Sequence, residues 1–195
     1  MAIGRPRAFD TDQALDRALE VFWRKGFEGA SIADLTAAMG INPPSLYAAF
    51  GNKEGLFCKA LDRYETKHAA FWAEALGAPT GYEAVERLLK GTAESLGDKR
   101  NPPGCLIVQG ALCGGDDCDS VKKELDARRD ASVALIRDRL KRAKRDGDLP
   151  EDADPAGLAR FYATVIHGMA VEAAGGASRK ELERVADMAL RAWPA

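Results

Sequence analysis

Residues 31–53, SIADLTAAMGINPPSLYAAFGNK, hold two helix starts and two helix stops within twenty-three residues. Ser31 suits a helix cap, because its hydroxyl accepts an amide that the first turn leaves unpaired. Ile32, Leu35 and Met39 then fall three and four apart, one apolar helix face, and Gly40 supplies the left-handed exit. Asn42 suits the cap of a second helix, with Pro43 and Pro44 where missing amide donors cost nothing. That helix carries Leu46, Tyr47 and Phe50 and breaks at Gly51-Asn52. A short helix, a glycine turn and a second helix form either a helical hairpin in a bundle or a helix-turn-helix. In the latter the second helix enters the DNA major groove.

The residue details favour the second form. Ser31 opens the first helix, Ala37 to Ile41 make an A-x-x-x-G-I turn, and Ser45-Leu46-Tyr47, Phe50 and Asn52-Lys53-Glu54 follow at fixed spacing. FWRKGFEGAS precedes this stretch and GLFCKALDRY follows it. Over roughly the first 65 residues the chain resembles the DNA-binding segment of the TetR/AcrR-type bacterial regulators. The resemblance implies that Ser31, Tyr47 and Lys53 hold phosphates, a role hydroxyls, lysines and helix N-terminal amides fill without reading sequence. It leaves base readout to Asn42, Pro44, Ser45 and Ala48 on the exposed face near the helix start. The chain departs from the commonest family pattern at Pro43, where Lys or Arg is frequent, and at Ala49, where His or Tyr is. Both changes remove phosphate contacts. Pro44 and Ala48 suit a thymine methyl and make no bidentate hydrogen bonds.

Charge does not carry the DNA reading. The formal net charge is −2, and the first 60 residues hold seven Lys/Arg against seven Asp/Glu. Affinity must come from a few placed cations. Arg5 and Arg7 flank Pro6 in a polar N-terminal arm, which resembles the GRPR opening of many family members and suits a backbone or minor-groove contact.

The remainder reads as helices. Thr11 is the expected cap of a first helix running to Lys25 and ended by Gly26. A longer one from Lys53 to Leu76 is the only element able to couple two domains, and the resemblance makes it the pendulum moved by ligand. Tyr82 to Leu96 is amphipathic. Cys105 to Cys113 is a short apolar helix. A long charged helix begins at Cys118 or Asp119 and runs to Asp146, with Val121, Leu125, Leu135, Ile136 and Leu140 facing inward. Ala156 to Ala174 and Ser178 to Trp193 close the chain. No segment has strand periodicity, so the expected fold is all-α. An N-terminal helix-turn-helix domain spans residues 1–54, and a helical-bundle ligand and dimerisation domain spans 55–195. No apolar run reaches the ~20 residues of a membrane span, and no secretory leader opens the chain. A cytoplasmic protein with no membrane partner is expected.

A palindromic double-stranded operator requires a two-fold dimer. The resemblance places the homodimer surface on the final two helices, here Ala159, Ala163, Ile166, Ala170, Leu182, Val185, Ala189 and Trp193. A small-molecule pocket is expected among Tyr64, His68, Trp72, Cys105, Phe161, Tyr162 and His167, apolar side chains with a few polar groups. Cys105 follows Pro103-Gly104 at a helix start, where a thiolate is favoured, and its GCL segment resembles a branch of the family that includes thiol sensors of electrophiles and oxidants. Cys113 and Cys118, bracketing GGDD, suit resolving partners or soft-metal ligands. Their spacings of eight and five match no common zinc template. No metal site, catalytic residue or cofactor is expected. The function read here is a homodimeric repressor released by an inducer or electrophile. The alternative is a helical thiol enzyme centred on Cys105, with His68 or His167 as base.

Overall fold

The computed structural model describes residues 9–110 and 119–194, so Arg5, Arg7, Cys113 and Cys118 lie outside the described residues. Nine helices and no strand occur among the described residues, and the fold is all-α. The chain divides into two compact units, Met1–Glu65 and Thr66–Ala195.

In the smaller unit α1 (Thr11–Gly29) is capped by Asp10 rather than Thr11. The Asp10 carboxylate accepts the amides of Asp12 and Gln13 at 2.9 and 3.1 Å, serving two unpaired donors, and its charge complements the helix dipole. The helical backbone breaks at Gly26, as expected, and a short helical stretch then continues to Gly29. Gly26 takes φ 70° and ψ 177°, a conformation glycine alone reaches without strain, and the bend turns Phe27 back into the core. Helices α2 (Ile32–Met39) and α3 (Pro43–Phe50) follow, and then the first three turns of α4 (Lys53–Leu76). Those turns bury Leu56, Phe57, Ala60, Leu61 and Tyr64, which is why the smaller unit extends through residue 65. Phe57 meets Phe22 edge-on at 4.9 Å and Phe27 at 5.2 Å, and Trp23 meets Tyr64 at 4.8 Å.

The larger unit is built on α5 (Gly81–Leu96), α7 (Asp119–Arg145), α8 (Pro155–Ala174) and α9 (Arg179–Leu190). Leu88, Leu89, Ile136, Leu140, Tyr162 and Leu182 share its core. Between α5 and α7 the described residues form only one short helix, α6 (Leu106–Gln109), and the rest of the expected 105–113 helix lies outside them.

Along α7 the buried series is Val121, Leu125, Val133, Ile136, Arg139, Leu140 and Ala143. Leu135, expected to face inward, is 53% exposed, because one step from Ile136 turns it about 100° off that stripe. Arg139 sits in the core instead. Its Nη2 donates to the carbonyls of Ala78 and Pro79 at 3.0 and 3.3 Å, fastening the α4–α5 connection. The chain leaves helical geometry after Leu190, so Trp193 lies beyond α9 and packs on Tyr82 and Tyr162.

Candidate nucleic-acid interface

Three short-range caps fix the reading pair. Ser31 Oγ accepts the Asp34 amide at 3.0 Å while Asp34 Oδ2 accepts the Ser31 amide at 3.1 Å, a reciprocal capping box. Gly40 closes α2 at φ 68°. Asn42 Oδ1 then accepts the Ser45 amide at 2.9 Å and starts α3 two residues further on, with both prolines in its first turn. Sequence reading found Ser31, Gly40 and Asn42 and passed over Asp34, although S-x-x-D is itself a capping-box spacing.

Asp34 also receives Lys25 Nζ on Oδ1 at 2.7 Å. The Lys25 ammonium, with the Ser31 hydroxyl and amide, lowers the Asp34 carboxyl from 3.8 to about 2. A depressed carboxylate stabilises the fold fully above its unfolded value, and that contribution is lost as pH falls through the folded one. The expected carboxyl titration by NMR therefore has its midpoint near 2. In Lys25→Met the midpoint moves up toward 3.8; an unmoved midpoint would remove Lys25 as the cause.

α3 buries Leu46 and Phe50 and turns Asn42, Pro43, Pro44, Tyr47 and Ala48 to solvent, with Ser45 half-buried. Tyr47 is 47% exposed, unusual for a ring of its size. The Asn42 oxygen spends one of its two lone pairs on the cap, and the cap makes no use of its amide NH2. Ser31 is exposed at the start of α2, and Lys53 begins α4 with Nζ 4.5 Å over the Phe27 ring. The structure thus brings Ser31, Asn42, Pro44, Ser45, Tyr47, Ala48 and Lys53 to accessible positions on or beside the helix pair.

Electrostatically the unit is lean. Residues 9–65 carry six Lys/Arg against nine Asp/Glu. Arg24 pairs with Glu20 at 3.3 Å, Lys25 with Asp34, and Arg63 with Asp16 at 2.8 Å and Asp12 at 3.7 Å.

The expected pocket residues have diverse surroundings. Tyr64 is buried in the smaller unit against Trp23, whereas the other six belong to the larger unit. Trp72 packs partly buried on the larger core, and burial lowers the pKa of both His68 and His167, so neutral imidazoles persist at pH 7. Tyr162 is 1% exposed, its hydroxyl has no hydrogen-bond partner among the described residues, and burial pushes its pKa up to about 12. Phe161 is 40% exposed. With Val165, Val185, Met188 and Ala189 it lines a groove on α8 and α9 that is apolar but for Arg184. Cys105 occupies the N-cap of α6 without a side-chain cap bond.

Of the residues expected at a dimer surface, Ala159, Ala163, Ala170, Leu182 and Ala189 are buried inside the protomer. Their small faces let α8 and α9 pack closely within one chain. Ile166 and Trp193 are half-buried, and Val185 is exposed. The other large apolar residues exposed on these helices are Phe161, Val171 and Met188.

A capped, solvent-facing second helix behind a glycine turn defines a helix-turn-helix, carried on a chain with a second, larger helical unit. Residues 14–59 match the family described as bacterial regulatory proteins, tetR family, and residues 81–189 match the tetracyclin repressor-like C-terminal domain. The chain belongs to the TetR family and is a DNA-binding transcriptional regulator. It is 35% identical to the HTH-type transcriptional repressor ComR of Escherichia coli K12, covering 98% of this chain and 92% of that one. The HTH-type transcriptional repressor BdcR of the same organism is 33% identical, with 95% and 90% covered. A cysteine mutant of the TetR family regulator CifR, solved with 26-bp double-strand operator DNA, is 49% identical at a TM-score of 0.94, covering 98% of this chain and 100% of that one. A family of transcription regulators favours binding over a thiol-dependent reaction at Cys105. Among the described residues no helix is long and apolar enough to cross a membrane.

Proposed function

We propose that the protein is a homodimeric repressor that holds a palindromic double-stranded operator and lets go when its larger unit binds an inducer or when Cys105 is modified. The observation that carries the reading is the exposed α3 face, already capped by Asn42 and flanked by Ser31 and Lys53 at two further helix starts. Repressor relatives and an operator complex at 49% identity support it. In this reading Tyr47, Lys53 and Ser31 hold phosphates, Asn42, Pro44, Ser45 and Ala48 face bases, and the Arg5/Arg7 arm adds backbone contacts.

Dimerisation uses the exposed apolar residues of α8 and α9, Phe161, Val185 and Met188, because they form one contiguous patch, the kind of surface that marks an interface. Release is a population shift. The inducer, or an adduct at Cys105, favours a dimer whose half-site separation no longer matches the operator. Two of the three mutated cysteines in CifR lie eight positions apart, the separation of Cys105 and Cys113 here, which supports the thiol branch.

The test is binding of purified protein to DNA upstream of its own coding sequence, or to operators selected from random DNA, against non-specific competitor. Lys53→Ala is expected to weaken binding about tenfold on every sequence and to lower the salt slope by about 0.9. Tyr47→Phe weakens it several-fold with the slope unchanged, since the phenol is neutral. Alkylation abolishes binding in wild type and spares Cys105→Ser. Failure to select any operator would sink the reading.

A further inference from the structure

Among the described residues of the smaller unit, one cation is absorbed by neither the ion pairs nor the ring contacts. Arg17 lies exposed on α1 and makes no ion pair or hydrogen bond among the described residues. Arg24, Lys25 and Arg63 are all paired with carboxylates, while Lys53 and Lys59 lie over the rings of Phe27 and Phe50. Asp16, one residue away, is committed to Arg63, and Glu20, one turn on, is committed to Arg24.

Arg17 is also placed with direction. Its Nη1 stands 3.5 Å from where a Cβ on Gly40 would project, so the guanidinium hangs over the turn between α2 and α3. Two residues past that glycine, Asn42 opens the helix whose first turn faces the bases. With Glu20, Val21, Arg24, Lys25 and Ala38, Arg17 lines an open groove of about 380 Å³ running along α1 beside α2. Three cations face it, against Glu20 within it and Asp34 bonded to Lys25. The groove is therefore electropositive at its Gly40 end, in a unit whose carboxylates otherwise outnumber its cations.

We propose that Arg17 is a phosphate-positioning residue: its guanidinium grips the DNA backbone where the strand passes the α2–α3 turn, and the Arg17–Arg24–Lys25 groove seats that backbone. The inference rests on the operator-binding reading above. A helix that enters the major groove by its first turn brings the bordering strand against the turn that precedes it. A guanidinium offers two parallel donors to one phosphate and so fixes the angle at which α3 lies in the groove. Its contribution is affinity and register, with no sequence content of its own.

The experiment uses the full-length dimer and an operator selected with wild type, titrated across a salt series. Arg17→Ala is expected to bind about tenfold more weakly on operator and competitor alike, with the slope of log K against log salt reduced by about 0.9. Its melting temperature should match wild type, because alanine is favoured at an exposed helix position. Arg17→Lys should restore the slope and only part of the affinity. Arg17→Ala with wild-type affinity and slope would overturn the inference and leave the operator reading standing. Weaker binding with an unchanged slope would assign Arg17 to support of the turn, and would overturn it as well. Absence of any operator for wild type would overturn both.

Discussion

Replacing Phe57 with alanine is expected to lower the melting temperature of the smaller unit by more than about 10 °C and to abolish DNA binding at growth temperature. Phe57 is wholly buried, meeting Phe22 edge-on and Phe27 at a tilt. Truncating such a ring costs about 3–5 kcal/mol, through lost transfer energy and the cavity left behind. A unit of this size has roughly 3–10 kcal/mol to lose. Each kcal/mol shifts the transition by about 4–8 °C in a small domain. Phe27 would lose its backing, and with it the seat of Lys53 at the α4 start. Calorimetry of the full-length protein beside wild type is the measurement, and an unshifted transition with DNA binding intact would show that the aromatic cluster does not hold the reading pair.

The second large effect is expected from Val185→Glu. Val185 is 41% exposed and lies beside Met188, which is 61% exposed, in the groove that also takes Phe161. The substitution leaves the protomer folded, because the glutamate remains in water until two protomers meet. In a two-fold interface it appears twice, and burying an unpaired carboxylate costs several kcal/mol at each occurrence. Sedimentation should therefore report a 21.0 kDa monomer in place of a dimer. Operator affinity should fall by at least about a hundredfold, since the second half-site no longer binds at high effective concentration. A Val185→Glu protein that stays dimeric would move the interface away from this face.

Much of this architecture could be read from the chain because its instructions are local. Ser31 and Asn42 each accept an amide three residues on, and Gly40 donates its own amide to the carbonyls of Ala37 and Thr36. The spacing of the three residues is therefore enough to place α2, the turn and α3. The first cap was assigned one residue late, since Asp10 and Thr11 are both good caps and only the hydrogen bonds decide between them. Non-local facts were less legible. Leu135 and Val133 differ in burial because of where α8 crosses α7, and hydrophobicity alone favoured the wrong one. The alanines of α8 and α9 mark close packing, yet nothing in their spacing says whether the neighbour is the same chain or a second copy. Arg17 drew no notice for the same reason: a lysine or arginine gains meaning only once its neighbours are seen to be paired elsewhere.

The charge balance of the smaller unit reaches beyond its own operator. Attraction to arbitrary DNA scales with the number of phosphates a protein neutralises. With six cations set against nine carboxylates in residues 9–65, the attraction of this reading head to random sequence is limited to the few phosphates its placed cations hold. A chromosome presents on the order of 10⁶ or more competing sites, and a strongly basic regulator spends most of its copies parked on them. Here that reservoir is expected to be shallower, so that free regulator tracks total regulator more closely and operator occupancy follows the number of copies the cell makes.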